Sequence, residues 1–357
     1  MKKLTVLFFL CIIPFIANAT ISEMSFGKWN IKFDDETKRA EFVKEGVTVL
    51  KDVKIKFKNG DVLLDASSYN SVKIKQEDIV DEVGKARKFT IEYTGSENSD
   101  NPIVYQNFYL YDGQDYFLTD VILQSPDNSI ISSNYIAPIS TEADNLFLPA
   151  DVNNRFITVP FDNDGFITYA SYPLSCSQTD PESLAIGRVA RDSVSMEVSA
   201  IFNGETQLGL VIGSVDHDTW KSAVRITGSP LAQGKITNLE CFSGVTHHIT
   251  RDMIDGVLKP HGAVKGQQVK SARMIVHYSG DWRTGLETFG DVCCAIAPKR
   301  SWDKPAPYGW SSWGGMGTEI SYDGVVSVSD FIKENIQNKG GFGDDGVIFI
   351  NLDASWD

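Results

Sequence analysis

The chain has 357 residues, a formal charge of −14 and 42% hydrophobic residues. That length allows one large or two medium domains and a sizeable core, and the hydrophobic content excludes the intrinsically disordered classes. The acidic balance repels nucleic acid and anionic lipid and suits a neutral partner.

The N-terminus opens with Met1, Lys2 and Lys3, continues through an apolar run from Leu4 to Ile16, and reaches Ala17-Asn18-Ala19. A positive head, a short apolar middle and a small-x-small exit predict a secretory signal over residues 1–19, cleaved after Ala19. The run falls short of the roughly 20 residues a membrane span needs. No later stretch is apolar enough to span, so the mature chain is expected to be secreted or periplasmic. Loss of the two signal lysines takes the formal charge to −16. Cys11 leaves with the signal, and Cys176, Cys241, Cys293 and Cys294 remain. Four cysteines in a chain this long make no disulfide scaffold, and they are read as small buried hydrophobes.

Residues 20–281 are predicted to be a large β-sandwich. Trp29, Ile31 and Phe33 alternate with Asn30, Lys32 and Asp34, and Val53, Ile55 and Phe57 alternate with lysines. Period two puts one set inward and the other outward. Asn59-Gly60, Asp112-Gly113 and Asn203-Gly204 each lie between such runs, the mark of a tight hairpin. The third hairpin takes Ser193 to Phe202 as one strand and Leu208 to Val215 as the next. Lys88 to Thr94 and Val269 to Tyr278 read as further strands. There is no amphipathic helix here and no repeat of blade length, which favours packed sheets over a propeller.

Residues 282–307 read as a connecting stretch. Trp282 to Ala297 has helical spacing with Leu286, Phe289, Val292 and Cys293 on one side, and prolines follow. From residue 308 the texture turns α/β. Tyr308 to Trp313 is a strand candidate. Val326 to Lys339 is a helix capped by Ser327 or Ser329 and ended by Gly340 and Gly341. Val347 to Leu352 is an apolar run suited to a strand buried on both faces. Strand, helix and strand make one βαβ unit, which cannot cover its own sheet. The sequence therefore reads as truncated rather than complete.

Ligands of α/β sheets sit beyond the carboxyl ends of the strands. Trp310 and Trp313 follow the first of these strands, and Asp353, Trp356 and Asp357 follow the second. Indole stacks on the apolar face of a sugar ring and carboxylates accept from its hydroxyls, so the pattern fits a carbohydrate partner. Aromatic plugs closing a barrel mouth would show the same residues. Asp162 and Asp164, in a turn-rich loop, are either contributors to that mouth or a solvated turn. His217 between acids reads as a strand-end hydrogen bond. His247 and His248, being adjacent, face opposite ways and make a poor metal pair. There is no phosphate loop, zinc spacing or nucleophile elbow, so no metal and no cofactor are called.

The run Pro307-Tyr308-Gly309-Trp310-Ser311-Ser312-Trp313 resembles the opening strand of α-galactosidase-like barrels, where Gly-Trp-Asn-Ser-Trp is common. Val347 to Trp356 resembles their second strand, which ends in an acidic pair followed by Trp. With a β-sandwich in front, the chain is similar to glycoside hydrolase family 36 and its relatives. The segments Asp162 to Phe166 and Gly213 to Trp220 also resemble signatures of the bacterial sandwich domain. The resemblance implies a retaining exo-α-glycosidase whose two catalytic aspartates lie beyond residue 357, leaving this fragment inactive. It makes Asp353 the acid that holds hydroxyls of the terminal sugar. Ala354 departs from the pattern, where galactose-specific members often carry a second Asp, and this weakens galactose as the substrate. The alternative is a non-catalytic carbohydrate-binding or adhesion sandwich. The sugar, the linkage and the oligomeric state are not legible.

Overall fold

The computed structural model describes residues 21–142, 146, 148–149, 151–159, 170–174, 192–228, 235–244, 262–303, 308–342 and 347–354. It divides into two units, residues 1–298 and 299–357.

The first unit is built on two large antiparallel sheets. One runs in the order Ile21–Phe26, Trp29–Asp34, Arg39–Lys44, Val47–Asn59, Ile136–Glu142, Ile236–Ser243, Ser222–Gly228, Asp192–Met196, with Val62–Asp65 paired to Val47–Asn59. The other runs Ala170–Pro173, Asn154–Thr158, Val198–Asn203, Gly209–Ser214, Met274–Ser279, Tyr116–Gln124, Ile103–Tyr111, Lys85–Ser96, Tyr69–Val80, with Gln268–Lys270 also on Tyr116–Gln124. The alternating residues meet face to face. Trp29, Ile31 and Phe33 of the first sheet share one buried core with Phe89, Ile91, Phe108 and Phe117 of the second. Trp29 and Phe117 meet edge to face, with centroids 4.8 Å apart. The large β-sandwich expected from the sequence is the architecture of this unit.

Helix α1 (Trp282–Ile296) packs on the outer face of the second sheet. Asp281 caps it by accepting from the Arg283 N–H. Trp282 stacks on Phe202 at 4.2 Å. Val292 is buried, and Phe289, Cys293 and Ile296 lie on Tyr111, Tyr116 and Leu118. The apolar stripe is as the spacing required, but its place is on the sandwich rather than in a free connection. This explains why the strand Gly209–Ser214 is buried on both faces: Leu210 and Ile212 enter the core, and Val211 lies under the helix. Gly285 makes the approach possible, because a Cβ there would stand 2.7 Å from His277 Nδ1.

Two expected strands are each divided. Ser193 to Phe202 becomes Asp192–Met196 in one sheet and Val198–Asn203 in the other. The chain crosses at Glu197, whose φ is +61°. Its backbone is held by Glu197 N–H to Ser222 O and Ser214 N–H to Glu197 O. Val269 to Tyr278 becomes Gln268–Lys270 and Met274–Ser279. Between them Ser271 turns inward, its hydroxyl accepting from Val121 N–H.

In the second unit, strands Gly309–Ser311 and Phe349–Asn351 pair in parallel, with Trp310 opposite Ile350. Helix α2 (Ser312–Met316) follows the first strand, so Trp313 is helical rather than extended. Helix α3 (Tyr322–Phe331) starts four residues before the expected Val326, and its cap is Ser321, which accepts from Gly324 N–H, rather than Ser327 or Ser329. It runs on through a π turn over Ile332–Gln337. Gly341, at φ +66°, terminates it in the left-handed conformation, as a C-terminal glycine does. Val347, Phe349 and Leu352 are about half exposed in place of the burial expected on both faces, because among the described residues this strand pairs with one neighbour. Among the described residues no helix is long and apolar enough to cross a membrane.

Candidate functional site

Three of the residues read from the sequence as sugar-binding, Trp310, Trp313 and Asp353, lie in the second unit. Gly309 allows the two strands to run close, since a Cβ there would strike the Phe349 carbonyl. Trp310 leaves the first strand half-buried. Its indole lies over Gly315, where a Cβ would come within 3.0 Å of the ring. Trp313, in the first turn of α2, is 51% exposed.

Asp353 follows the second strand and is exposed. Its backbone N–H donates to the Ser312 hydroxyl at 2.9 Å, and Ser312 is fully buried. The Asp353 carboxylate accepts from Ala354 N–H at 2.8 Å and from the Ser311 hydroxyl at 3.4 Å. Asn351 reaches the same Ser311 hydroxyl at 3.4 Å. The carboxylate is therefore aimed by its own backbone and by Ser311, and it keeps lone pairs for a ligand. An exposed indole suits the ring face of a sugar and an exposed, oriented carboxylate suits its hydroxyls, by stacking and by charge-assisted hydrogen bonds respectively.

Trp310, Trp313 and Asp353 thus share the carboxyl end of one parallel strand pair. Trp356, Asp357, Asp162 and Asp164 lie outside the described residues, as do His247 and His248. The sequence reading passes over Ser312 as a support of Asp353. The signal available was a second small polar residue, after Ser311, directly beyond a strand that carries a tryptophan. His217 makes the strand-end contact expected of it, with Nε2 3.4 Å from the Glu197 carboxylate. Among the described residues no group of acidic, histidine and cysteine side chains could hold a metal ion. Cys241, Cys293 and Cys294 are free, and burial pushes the Cys293 thiol up to about 11.

No protein-family model matches this chain, and no curated protein sequence matches it. Solved structures do. The α-N-acetylgalactosaminidase NagBb from Bifidobacterium bifidum, in complex with Gal-NHAc-DNJ, is 11% identical with a TM-score of 0.52 over 93% of this chain and 51% of its own. The family 36 α-galactosidase AgaA from Geobacillus stearothermophilus is 9% identical with a TM-score of 0.47 over 94% of this chain and 50% of its own. The chain thus spans about half the length of these two structures. At this identity the likeness to NagBb is one of fold alone.

Proposed function

We propose that this chain is the N-terminal part of an exported, exo-acting, retaining α-glycosidase of the α-galactosidase-like kind, which removes terminal α-linked sugars. The observation that carries the reading is the strand-end arrangement: Asp353, anchored through Ser312, stands with Trp310 and Trp313 at the carboxyl end of a parallel strand pair. The fold shared with a bacterial α-N-acetylgalactosaminidase supports it. Trp310, Trp313 and Asp353 would bind the terminal sugar, with Trp356, Asp357, Asp162 and Asp164 as further contributors. The strand pair would be the first two strands of a (β/α)8 barrel.

Retaining hydrolysis needs two carboxyl groups about 5–5.5 Å apart across the scissile bond. On this reading the nucleophile and the acid/base would lie on later strands of the barrel, with Asp353 a binding residue. The present chain would bind sugar without turning it over. The export signal over residues 1–19 completes the reading, with Thr20 as the first residue of the mature protein.

The test is Asp353→Ala in the full-length enzyme, assayed on aryl α-glycosides. Loss of a charged hydrogen bond of roughly 1.5–3 kcal/mol lowers kcat/KM about ten- to hundredfold. Wild-type kinetics in a folded variant would remove Asp353 from the site. Turnover by the 357-residue chain, abolished by the same change, would place the chemistry in residues assigned here to binding.

A further inference from the structure

The run Gly213 to Trp220 lies in the first unit, includes none of the residues of the strand-end site, and is held by several side-chain hydrogen bonds. The Ser214 hydroxyl donates to the Asp216 carbonyl at 2.8 Å. The Asp216 carboxylate accepts from the Arg273 backbone N–H at 2.8 Å and from its guanidinium at 2.7 Å. Trp220 Nε1 donates to the Lys270 carbonyl at 2.7 Å. The loop is thus locked to the segment between the two half-strands of Gln268–Ser279, and between these and the C-terminal end of α1, at Ile296 and Ala297, lies a cleft of about 640 Å³. That is a small-molecule volume, and it exceeds the hollow of about 430 Å³ bounded by Ser67 and Asn101.

Arg273, Lys270 and His217 of the cleft each face a carboxylate before any ligand arrives. Arg273 bridges Asp216 and Glu82. Lys270 stands 3.1 Å from the fully buried Asp120 carboxylate, which Asn107 and Tyr109 also contact. His217 faces Glu197. Burial opposes ionisation of Asp216, and the guanidinium outweighs it, so the carboxyl stays below the usual range. An anionic ligand would have to displace a carboxylate from its cation, and Asp218 adds an exposed negative charge. A cationic ligand would meet Lys270 and Arg273. A hydroxyl group donates to a carboxylate and accepts from an ammonium or imidazolium at once, so a neutral polyol fits both signs. Val215, Ile296 and Ala297 offer apolar surface to its C–H face.

We propose that this cleft is a saccharide-binding site made from residues of the first unit alone, with His217, Asp218 and Lys270 as its polar contacts. The choice of a sugar over another polyol rests on the glycosidase reading. The cleft is open and polar, so a monosaccharide should bind with a dissociation constant on the order of 1–10 mM.

The experiment is an amide-resolved NMR titration of the full chain with galactose, N-acetylgalactosamine and glucose in turn, with sodium phosphate and methylammonium chloride as charged controls. The expected result is saturable shifts at Val215, Thr219, Ala272 and Ala297 with at least one sugar and none with the controls. The double substitution His217→Ala/Asp218→Ala, at two exposed positions, should weaken that binding tenfold or more while the melting curve stays. If it disturbs the fold, Asp218→Asn alone should weaken binding at least threefold. No sugar response at the cleft, a stronger response to phosphate or methylammonium, or unchanged binding in the folded variants would overturn the proposal. Shifts confined to Trp310, Trp313 and Asp353 would overturn it and leave the strand-end reading intact. Cleft shifts without a response at those three would support it and count against that reading.

Discussion

Asp353 N–H and the Ser312 hydroxyl, 41 positions apart in sequence, meet at 2.9 Å and tie the end of one parallel strand to the first turn beyond the other. The hydroxyl is buried, so its removal leaves the Asp353 N–H without this acceptor and frees the segment that aims the carboxylate. A neutral hydrogen bond of this kind is worth about 1 kcal/mol. On the proposed glycosidase reading, Ser312→Ala in the full-length protein should therefore lower kcat/KM about fivefold, less than Asp353→Ala. Unchanged kinetics would show that Asp353 is aimed by something else.

The sandwich was legible because one face of each strand is apolar: Trp29, Ile31 and Phe33 show period two and all enter the core. Asn59-Gly60 marked a real hairpin, with Gly60 at φ +60°. The crossing at Glu197 was not legible, since nothing in a glutamate announces a left-handed conformation; it depends on space left by Gly213 across the sheet. The stripe on α1 could be read, but its landing place on Tyr111, Tyr116 and Leu118 is a tertiary fact. Ser321 was missed as a cap because the residues after it, Tyr322 and Asp323, lack the apolar spacing that begins at Val325. At the site, Trp310 and Asp353 followed from the rule of strand ends. Ser312 did not, because a hydroxyl bonding to a distant backbone leaves no periodic trace.

Gly213 tests the crossing. A Cβ at this position would stand 2.5 Å from the Glu197 carbonyl oxygen and 2.8 Å from Val198 Cα. Both are backbone atoms, so relief requires the two strands to part where Ser214 N–H bonds Glu197 O. Gly213→Ala should destabilise the chain by about 1–3 kcal/mol, as overpacking does, seen as a lower Tm. Gly290, in α1, has open space around it and serves as the control, where alanine should hold or raise the Tm by helix propensity. An unchanged Tm in Gly213→Ala would mean that the crossing is plastic.

His277 makes the fold sensitive to acid. It is 2% exposed beside Gly285. Burial pushes its pKa down to about 4, Asp115 opposes this, and Lys44 and Lys28 add to it. The unfolded chain, with an ordinary histidine near 6.5, binds the proton first as pH falls, so stability is lost between about 6.5 and 4. The loss should come to about 2 kcal/mol between pH 7 and pH 5. His217 has the opposite sign: the Glu197 hydrogen bond raises its pKa, so it adds stability as pH falls. Urea unfolding of the wild type and His277→Leu at the two pH values isolates the buried residue. The variant should lose this part of the pH dependence, and an equal slope in both proteins would refute the assignment.

The two units should differ in how firmly they hold their hydrogen bonds. Leu210 and Val276 are completely buried and paired on both sides within the ten-stranded sheet. In the second unit, Phe349–Asn351 pairs only with Gly309–Ser311 among the described residues. Phe349 is 52% exposed and Tyr322 83%, so little apolar surface is removed from water when this unit forms. Two strands without a covered face are marginal in water, whereas amides of a sheet core open only with global unfolding. Hydrogen exchange on the 357-residue chain should show amides of Leu210, Ile212 and Val276 protected by a factor of about 10³ or more relative to those of Phe349, Ile350 and Asn351. On the barrel proposal, further strands flanking Phe349–Asn351 should close that gap. Equal protection in the 357-residue chain would show that the strand pair is stable as it stands and needs no such neighbours, which would remove the energetic support for a barrel built upon it.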